Sequence, residues 1–331
     1  MRVVDMHCDT IAELYENHKA GGSASISSND LHLDLQKMSA GDYLLQNFAL
    51  FTYLEGEDRP FEYAMKLVDT FYTELEAHQD LIGIVTSYAD IEKNRHRGRM
   101  SALLSIEEGG VCQGELSFLR DFYRVGVRMM TLTWNFQNEL AYPNRMTLEG
   151  PDAGVCRPET VHGLTERGIA FVEEMERLGM IVDISHLGDA GIRDVFAHTK
   201  KPLVASHSNA RALAGHPRNL TDAMIRELSE RGGVVGINYC AAFLRDWGAG
   251  EAEISRVSDM VLHMKHMKQI GGISCIGLGS DFDGIGGELE LKSAAALPLL
   301  EVEMRKQGFT ESEIEAVFYQ NVLRVYREIL K

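Results

Sequence analysis

Six residues whose side chains can bind a metal ion or carry a proton follow short apolar stretches of this sequence. They are His7, Asp9, Glu107, His186, His207 and Asp281. Imidazole and carboxylate groups together suit zinc, manganese or iron, whereas calcium and magnesium sites use oxygen ligands alone. The sequence has neither a Cys-x-x-Cys pair nor a Gly-x-Ser-x-Gly or Cys-His nucleophile motif. The chemistry that the six residues predict is therefore that of a metal-bound water.

The first two of these residues, His7 and Asp9, are separated only by Cys8. On an extended strand, residues two apart point to the same side, so one ion can contact both side chains. A histidine and an aspartate that hydrogen-bond to each other at a strand end have the same spacing. The pair alone does not decide between the two interpretations, because the motif is short and common.

Two later stretches repeat one pattern, in which an apolar strand ends in Ser-His: Ser185-His186 and Ser206-His207. Two neutral imidazoles from neighbouring strands would form a second metal site. A single histidine of this kind is usually a buried residue that is hydrogen-bonded to the backbone. Two histidines at equivalent places favour metal ligands instead.

An acidic pair, Glu107 and Glu108, follows the apolar stretch 102–106. A carboxylate that is buried at a strand end requires a compensating charge, and a metal ion supplies one. One carboxylate can also bridge two cations that lie about 3.5–4 Å apart, as two-metal hydrolases require. Because neighbouring residues on a strand point to opposite sides, we expect Glu107 to be the ligand and Glu108 to face away.

The segment from Gly279 to Gly284 has the sequence Gly-Ser-Asp-Phe-Asp-Gly. It lacks the third glycine of a dinucleotide-binding loop and the series of ligands of an EF-hand loop. We interpret it as a tight turn at a strand end that presents Asp281. There Asp281 can take a proton from a metal-bound water and pass it to a leaving group. Asp283 is expected to serve the turn.

These residues need a scaffold that brings several strand ends together. Eight short apolar stretches are candidate strands: 3–6, 47–51, 102–106, 127–132, 181–184, 202–205, 234–237 and 276–278. Helical patterns lie between most of them, the clearest at 61–76, 116–124, 164–178, 192–198, 222–231 and 258–270. This alternation, without a Pro-, Gly- or Ser-rich linker, predicts an α/β fold with a single (β/α)8 TIM-type barrel over residues 1–331, rather than two doubly wound domains. The C-terminal ends of barrel strands converge at one mouth, where the six residues would meet.

Smaller features add detail to the barrel. Thr221 is an expected helix N-cap, and Thr310 with Glu313 forms an expected capping box. Residues 135–162 are too irregular for a standard connection and are expected to form a long functional loop after the fourth strand. His263 and His266 lie three residues apart on a helical pattern, where a solvated helix face is expected.

Composition narrows the classes of function. The chain has 331 residues, of which 45% are hydrophobic and 25% charged, which excludes a disordered or fibrous protein. Lys and Arg number 33 against 49 Asp and Glu, and the resulting net charge of −16 disfavours nucleic acid and anionic lipid as partners. No apolar run approaches the roughly 20 residues of a membrane span, and no apolar signal segment is seen. We expect a cytoplasmic protein whose five cysteines are buried thiols.

With these motifs, the chain resembles the renal (membrane) dipeptidase family of zinc metallopeptidases, within the amidohydrolase-like barrels, and closely resembles its bacterial members. The likeness runs over essentially the whole chain, and the ordered set of motifs is specific although each is short. The motifs occupy residues 4–10, 106–110, 130–135, 183–186, 205–211, 216–219 and 279–284.

The resemblance implies two zinc ions per chain, the first held by His7, Asp9 and Glu107. It implies that Glu107, His186 and His207 hold the second. It further implies that Asp281 handles the proton and that Arg218 binds the C-terminal carboxylate of a dipeptide substrate, with tolerance of a D-residue at that position. A homodimer is implied as well. Animal members have a substrate-contacting histidine directly after Thr-Leu-Thr, where this chain has Trp134, so Trp134 is assigned to the substrate site.

We therefore expect a zinc-dependent dipeptidase in which a hydroxide bridging two zinc ions attacks the peptide carbonyl and Asp281 protonates the departing amine. An N-acyl amino acid deacylase, a lactonase or another amidohydrolase on the same centre is the alternative within the enzyme class. Arg218 argues against neutral lactones. A barrel that binds peptides without hydrolysing them is the alternative from a different class, and it is disfavoured because none of the six residues is lost.

Overall fold

The computed structural model describes residues 1–146, 156–248 and 250–331. Eight parallel strands form a closed ring. In chain order they are β1 Val3–Asp5, β2 Tyr43–Phe51, β3 Met100–Glu107, β4 Val127–Thr131, β5 Ile181–Asp183, β6 Val204–Ala205, β7 Val234–Ile237 and β8 Ile276–Leu278. Each strand pairs with its neighbours in sequence, and the ring closes where Asp5 lies opposite Leu278. The predicted (β/α)8 barrel is confirmed.

Helices cover the outside of the ring. They are Thr10–Lys19, Leu35–Ala40, Pro60–Glu76, Tyr88–His96, Leu116–Arg124, Glu166–Leu178, Asp189–His198, Asp222–Glu230, Ala241–Leu244, Val257–Gly271, Pro298–Lys306, Glu311–Glu315 and Asn321–Ile329, with a π-helical turn at Ala316–Gln320. The caps that the sequence predicts are present. The Thr221 hydroxyl accepts a hydrogen bond from the Met224 N–H, and Thr310 forms a capping box with Glu313.

The last helix closes the N-terminal end of the barrel. Inward-facing side chains of the strands, such as Val4, Leu103 and Val234, pack in one buried cluster with Val322 and Tyr326 of that helix. Apolar side chains that point inward from the strands fill barrels in this way, because a packed interior removes the most apolar surface from water. Among the described residues, the last helix blocks this end of the barrel, which leaves the opposite mouth, where the C-terminal ends of the strands lie, as the approach for a ligand.

The structure differs from the sequence-based expectations at one strand and at one histidine, and part of one expected loop is untested. A further strand, Ile82–Val85, pairs with the first half of β3 and has no counterpart among the eight candidates. The expectation that His263 lies on a solvated helix face is wrong, because its side chain is 1% exposed. Its Nδ1 accepts a hydrogen bond from the Ala210 N–H and its Nε2 lies 2.9 Å from the Leu244 carbonyl oxygen. Residues 147–155 of the expected long loop lie outside the described residues.

The helix lengths also bear on membrane association. Within the described ranges, no helix combines the length and apolar character that a membrane crossing requires.

Candidate active site

The six residues singled out in the sequence meet at the C-terminal mouth of the barrel. His7 and Asp9 follow β1, and Glu107 is the last residue of β3. The other three, His186, His207 and Asp281, follow β5, β6 and β8. All six are at most 8% exposed. Asp9, Glu107, His186 and Asp281 line a cavity of about 360 Å³.

The Glu107 carboxylate lies between two sets of side chains. Its Oε2 is 3.3 Å from His7 Nε2, which in turn is 3.4 Å from Asp9 Oδ2. Its Oε1 is 3.0 Å from His186 Nε2 and 3.5 Å from His207 Nε2. In each set the candidate ligand atoms lie within 4.8 Å of one another. A third overlapping set of that size joins His7, His207 and Asp281.

Hydrogen bonds on the far side of His207 determine where its ring proton lies. The Ser206 hydroxyl donates to the carboxylate of Asp183, and the same oxygen lies 2.7 Å from His207 Nδ1. A hydroxyl has only one hydrogen, so Ser206 Oγ must accept a hydrogen bond from Nδ1–H. The lone pair of His207 Nε2 therefore faces Glu107 and His186.

The same argument applies to His186. Its Nδ1 lies 2.9 Å from the Asn135 side-chain oxygen, an acceptor, so the proton is on Nδ1 and the lone pair is on Nε2. The Nε2 atoms of His186 and His207 are 2.9 Å apart. Two lone pairs at this distance repel each other unless both nitrogens bind the same cation. Burial and the nearby positive charges of Arg218 and His7 hold the pKa values of both imidazoles well below their ordinary value, so a proton is disfavoured there.

The first set of side chains also lacks partners. Both ring nitrogens of His7 and the Asp9 Oδ1 atom are buried and make no hydrogen bond with the described residues. Although burial opposes it, the charges of Glu107 and Asp9 hold the pKa of His7 well above its ordinary value. Buried polar atoms without partners cost free energy, and a metal ion would satisfy them. The donor set thus fits divalent cations at both places.

The residues at the mouth are held in strained backbone conformations. The backbone φ angles are +94° at Glu108, +66° at His186 and +62° at Asp281, values that residues other than glycine rarely adopt. Strain of this kind persists where the surroundings fix it, and it is concentrated at functional sites. Asp281 Oδ2 accepts a hydrogen bond of 2.8 Å from the Asn238 amide, and Oδ1 lies 3.7 Å from His7 Nε2. Burial raises the pKa of Asp281.

Glu108 points away from the ligand atoms, although it is fully buried. Its carboxylate accepts hydrogen bonds from the backbone N–H groups of Gly110 and Trp134, at 2.7 and 2.8 Å, and from the Asn138 amide. Burial raises the pKa of Glu108 to about 7. This residue therefore holds the beginning of the loop after β4 against the mouth.

Trp134 lies on the wall of the cavity, with its ring centroid 5.0 Å from that of Phe51 and 6.0 Å from that of His186.

Arg218 lies deeper and is 6% exposed, with its guanidinium 5.3 Å from the centre of the Phe243 ring, which forms part of the wall. Its Nη2 donates to the His207 carbonyl oxygen at 3.1 Å, and its Nε has no hydrogen-bond partner. Among the described residues, no carboxylate lies within 4.0 Å of this guanidinium.

Four residues of the site carried no assigned role in the sequence analysis. Asp183 and Ser206 orient His207, Asn135 orients His186 and Asn238 orients Asp281. Asp183 had a detectable signal, because it is a charged residue inside an otherwise apolar strand. The two asparagines lie in loops, and nothing in their local sequence indicates which side chain they contact.

Comparisons with known proteins agree with this geometry. The model of the membrane dipeptidase family, peptidase family M19, matches residues 1–331. An uncharacterized dipeptidase of Schizosaccharomyces pombe is 31% identical over 311 residues, which cover 90% of this chain and 72% of that protein. The crystal structure of the dipeptidase AC, a metallopeptidase of family M19, has a TM-score of 0.87 at 26% identity and covers 100% of this chain and 99% of its own.

A metallopeptidase from Rhodobacter sphaeroides, liganded with a phosphinate mimic of the dipeptide L-Ala-D-Ala, has the same fold. Its TM-score is 0.84 at 24% identity, with 99% of each chain covered. The family match over the whole chain and the buried His, Asp and Glu cluster lead to one conclusion: the chain belongs to the membrane dipeptidase family, peptidase family M19, and is a metallodipeptidase.

Proposed function

We propose that this metallodipeptidase uses two zinc ions to hydrolyse dipeptides with a free C-terminal carboxylate, including L-D dipeptides. The observation that carries the proposal is the pair of ligand sets that share Glu107. Five ligands exceed what one tetrahedral zinc ion needs. Residues 1–331 would act as one domain, because the strands of the single ring come from nearly the whole length of the chain.

His7, Asp9 and Glu107 would hold one ion, and Glu107, His186 and His207 the other. Bound zinc would supply a hydroxide nucleophile at neutral pH and would polarise the carbonyl of the scissile bond. The protein contributes the orientation of the ligands, since Ser206 and Asn135 hold the Nε2 lone pairs toward Glu107.

Asp281 would carry the proton. One carboxylate oxygen faces the ligand cluster and the other is held by Asn238, so the group is fixed beside the place of reaction. The carboxylate would take the proton released by the nucleophile and give it to the departing amine nitrogen. The peptide C–N bond breaks, and the products are two free amino acids.

Arg218 would bind the C-terminal carboxylate of the substrate. Its guanidinium is buried, and no carboxylate of the described residues pairs with it. A buried cation without a paired anion is costly, and a substrate carboxylate would compensate its charge with paired hydrogen bonds. Because the Arg218 guanidinium contacts the His207 carbonyl oxygen, the anchor would lie near the ligand cluster, and one residue would separate it from the scissile bond, as in a dipeptide. The ligand of the Rhodobacter sphaeroides protein supports a D-residue at this place.

The test compares L-Ala-L-Ala, L-Ala-D-Ala, the C-terminal amide of L-Ala-D-Ala and N-acetyl-D-alanine on zinc-loaded protein. We expect hydrolysis of both dipeptides, with kcat/KM for the amide lower by on the order of 100-fold, the size of effect seen when one partner of a buried charge pair is removed. Arg218→Met should raise KM for the free dipeptide far more than for its amide. Faster cleavage of N-acetyl-D-alanine than of either dipeptide would favour a deacylase, and equal cleavage of acid and amide would contradict the anchor.

A further inference from the structure

A second cavity of about 440 Å³ opens beside the ligand cluster. It shares Trp134 and Asn135 with the smaller cavity that the ligands line, so the two cavities adjoin at these residues. Four aromatic side chains form much of its wall: Tyr53, Trp134, Phe136 and Tyr142. We call this cavity the aromatic pocket.

Three of these rings support one another. Tyr53 lies 5.3 Å from Phe136 and 5.8 Å from Trp134 in edge-to-face contacts, and Trp134 lies 5.5 Å from Phe136 between ring centroids. Such contacts hold rings in fixed orientations. Tyr53 nevertheless keeps 46% of its surface exposed. The pocket thus presents a preformed aromatic surface that a ligand ring could cover.

The topology of the barrel determines which part of a substrate reaches this pocket. Arg218 follows β6, whereas Tyr53 follows β2, and these two strands lie opposite each other in a ring of eight. The ligand cluster lies between them. A dipeptide with its carboxylate at Arg218 and its peptide carbonyl at the cluster must extend its N-terminal residue toward the β2 side. This step rests on the proposed function.

We propose that the aromatic pocket binds the side chain of the N-terminal residue and that the enzyme prefers dipeptides with an aromatic residue at that position. An apolar cavity of about 150 Å³ already holds a benzene ring, so the pocket has room for a phenyl, phenol or indole group. Glu55 also lies on the wall, and none of the wall residues that the structure describes is basic. An acidic N-terminal side chain is therefore disfavoured.

The experiment uses the two isomers L-Phe-L-Ala and L-Ala-L-Phe with zinc-loaded protein, and adds L-Ala-L-Ala and L-Glu-L-Ala. We expect kcat/KM for Phe-Ala to exceed that for Ala-Phe and Ala-Ala by about tenfold or more, a discrimination that apolar pockets achieve. Glu-Ala should be the poorest substrate. The isomers have the same composition, so only the position of the ring differs.

Two variants remove aromatic surface from the pocket, Tyr53→Ser and Phe136→Ala. Each should lower kcat/KM for Phe-Ala by about tenfold and lower that for Ala-Ala by less, so that the preference for Phe-Ala falls. Leu81→Ser is the matched control, because Leu81 is 47% exposed and lies at the opposite end of the barrel, beside Arg2 and Met100. It should change neither value. Calorimetry gives the dissociation constants of the phosphinate mimics of Phe-Ala and Ala-Phe. The mimic of Phe-Ala should bind more tightly than the mimic of Ala-Phe.

Preference for Ala-Phe, or an unchanged preference for Phe-Ala in both variants, would overturn the inference while the protein remains a dipeptidase. Hydrolysis of none of the four dipeptides by zinc-loaded protein would overturn the proposed function, and this inference with it.

Discussion

Glu107 is the residue on which the ligand arrangement depends, because each of its oxygens faces a different histidine. Its neighbour Glu108 is equally buried but binds three N–H donors of the protein instead. The two adjacent glutamates therefore allow a matched comparison of a group that faces the cluster with one that supports a loop.

Replacement of Glu107 by Gln should abolish turnover and lower the metal content, because a neutral amide cannot bridge two cations. Glu108→Gln should keep the metal content and most of the activity. It should cost about 1–2 kcal/mol of stability, because its amide group would face an N–H donor in place of one carboxylate oxygen. Metal analysis, kcat and the free energy of unfolding of both variants check this. The opposite pattern would make Glu108 the ligand.

Ser206 is also expected to act through a single hydrogen bond. Ser206→Ala removes the acceptor that holds the proton of His207 on Nδ1, and should weaken zinc binding by about 10- to 100-fold, as removal of such outer partners does. Thr131→Val is the control, because the Thr131 hydroxyl donates to the same Asp183 at 2.8 Å without contacting a histidine. Competition with a chelator measures the affinity. Equal losses in both variants would mean that Asp183, rather than the orientation of His207, is responsible.

At the scale of the elements, Glu174 joins two helices on the outside of the barrel. It lies in Glu166–Leu178 and binds Arg177 of the same helix and Arg120 of Leu116–Arg124. The hydrogen bonds from Arg177, followed by that from Arg120, lower the pKa of Glu174 to about 2, from an ordinary value of 4.5. A carboxyl with a lowered folded-state pKa stabilises the protein above its unfolded pKa, and this contribution is lost as the pH falls through the folded value.

Glu174→Gln should therefore lower the free energy of unfolding at pH 7 by about 1 kcal/mol, a figure kept small because both arginines are well exposed. The difference from wild type should shrink as the pH falls from 4.5 toward 2. Glu173→Gln, at a side chain that is 63% exposed, should change stability by less than about 0.5 kcal/mol. Denaturant titrations at several pH values measure the free energies of unfolding. A difference between wild type and Glu174→Gln that persists undiminished toward pH 2 would contradict the lowered pKa of Glu174.

For the molecule as a whole, the five candidate ligands lie at or after the ends of four strands and are spread from position 7 to position 207 of the chain. Metal binding would therefore tie distant segments together and stabilise the folded state as a whole. We expect zinc titration of the metal-free protein to saturate at two equivalents per chain. At 100 times the dissociation constant each site would contribute about 2.7 kcal/mol, and Tm should rise on the order of 10 °C.

Calorimetry and thermal unfolding of the same samples measure both quantities. Asp281→Asn should keep the two-equivalent titration and the rise in Tm but lose most of kcat, because it removes a proton carrier rather than a ligand. Saturation of the wild type at one equivalent with full activity would rule out the two-metal arrangement. Loss of one equivalent in the Asp281 variant would make that residue a ligand.

The sequence alone determined the barrel and the types of residue at its mouth. Strands and helices leave periodic apolar patterns over a few residues, and the eight strands appear in the sequence as eight such stretches. Parallel strands that form a ring bring their C-terminal ends together, so His7, Glu107 and His207 could be expected to meet before any contact was known. These features depend on local pattern and on the rules of topology.

The orientation of those residues and the groups around them depend on contacts between distant parts of the chain. The position of the ring proton of His207 depends on Ser206 and Asp183. The position of the ring proton of His186 depends on Asn135, which lies 51 positions away in the chain. The i, i+3 spacing of His263 and His266 fits a solvated face as well as a buried one, and the contacts of His263 with Ala210 and Leu244 join residues far apart in the chain. The aromatic pocket combines rings from the loops after β2 and β4, which no local pattern relates. Side-chain direction at these places follows from long-range contacts and, at His186, from a positive φ angle, and the apolar periodicity of a sequence contains neither.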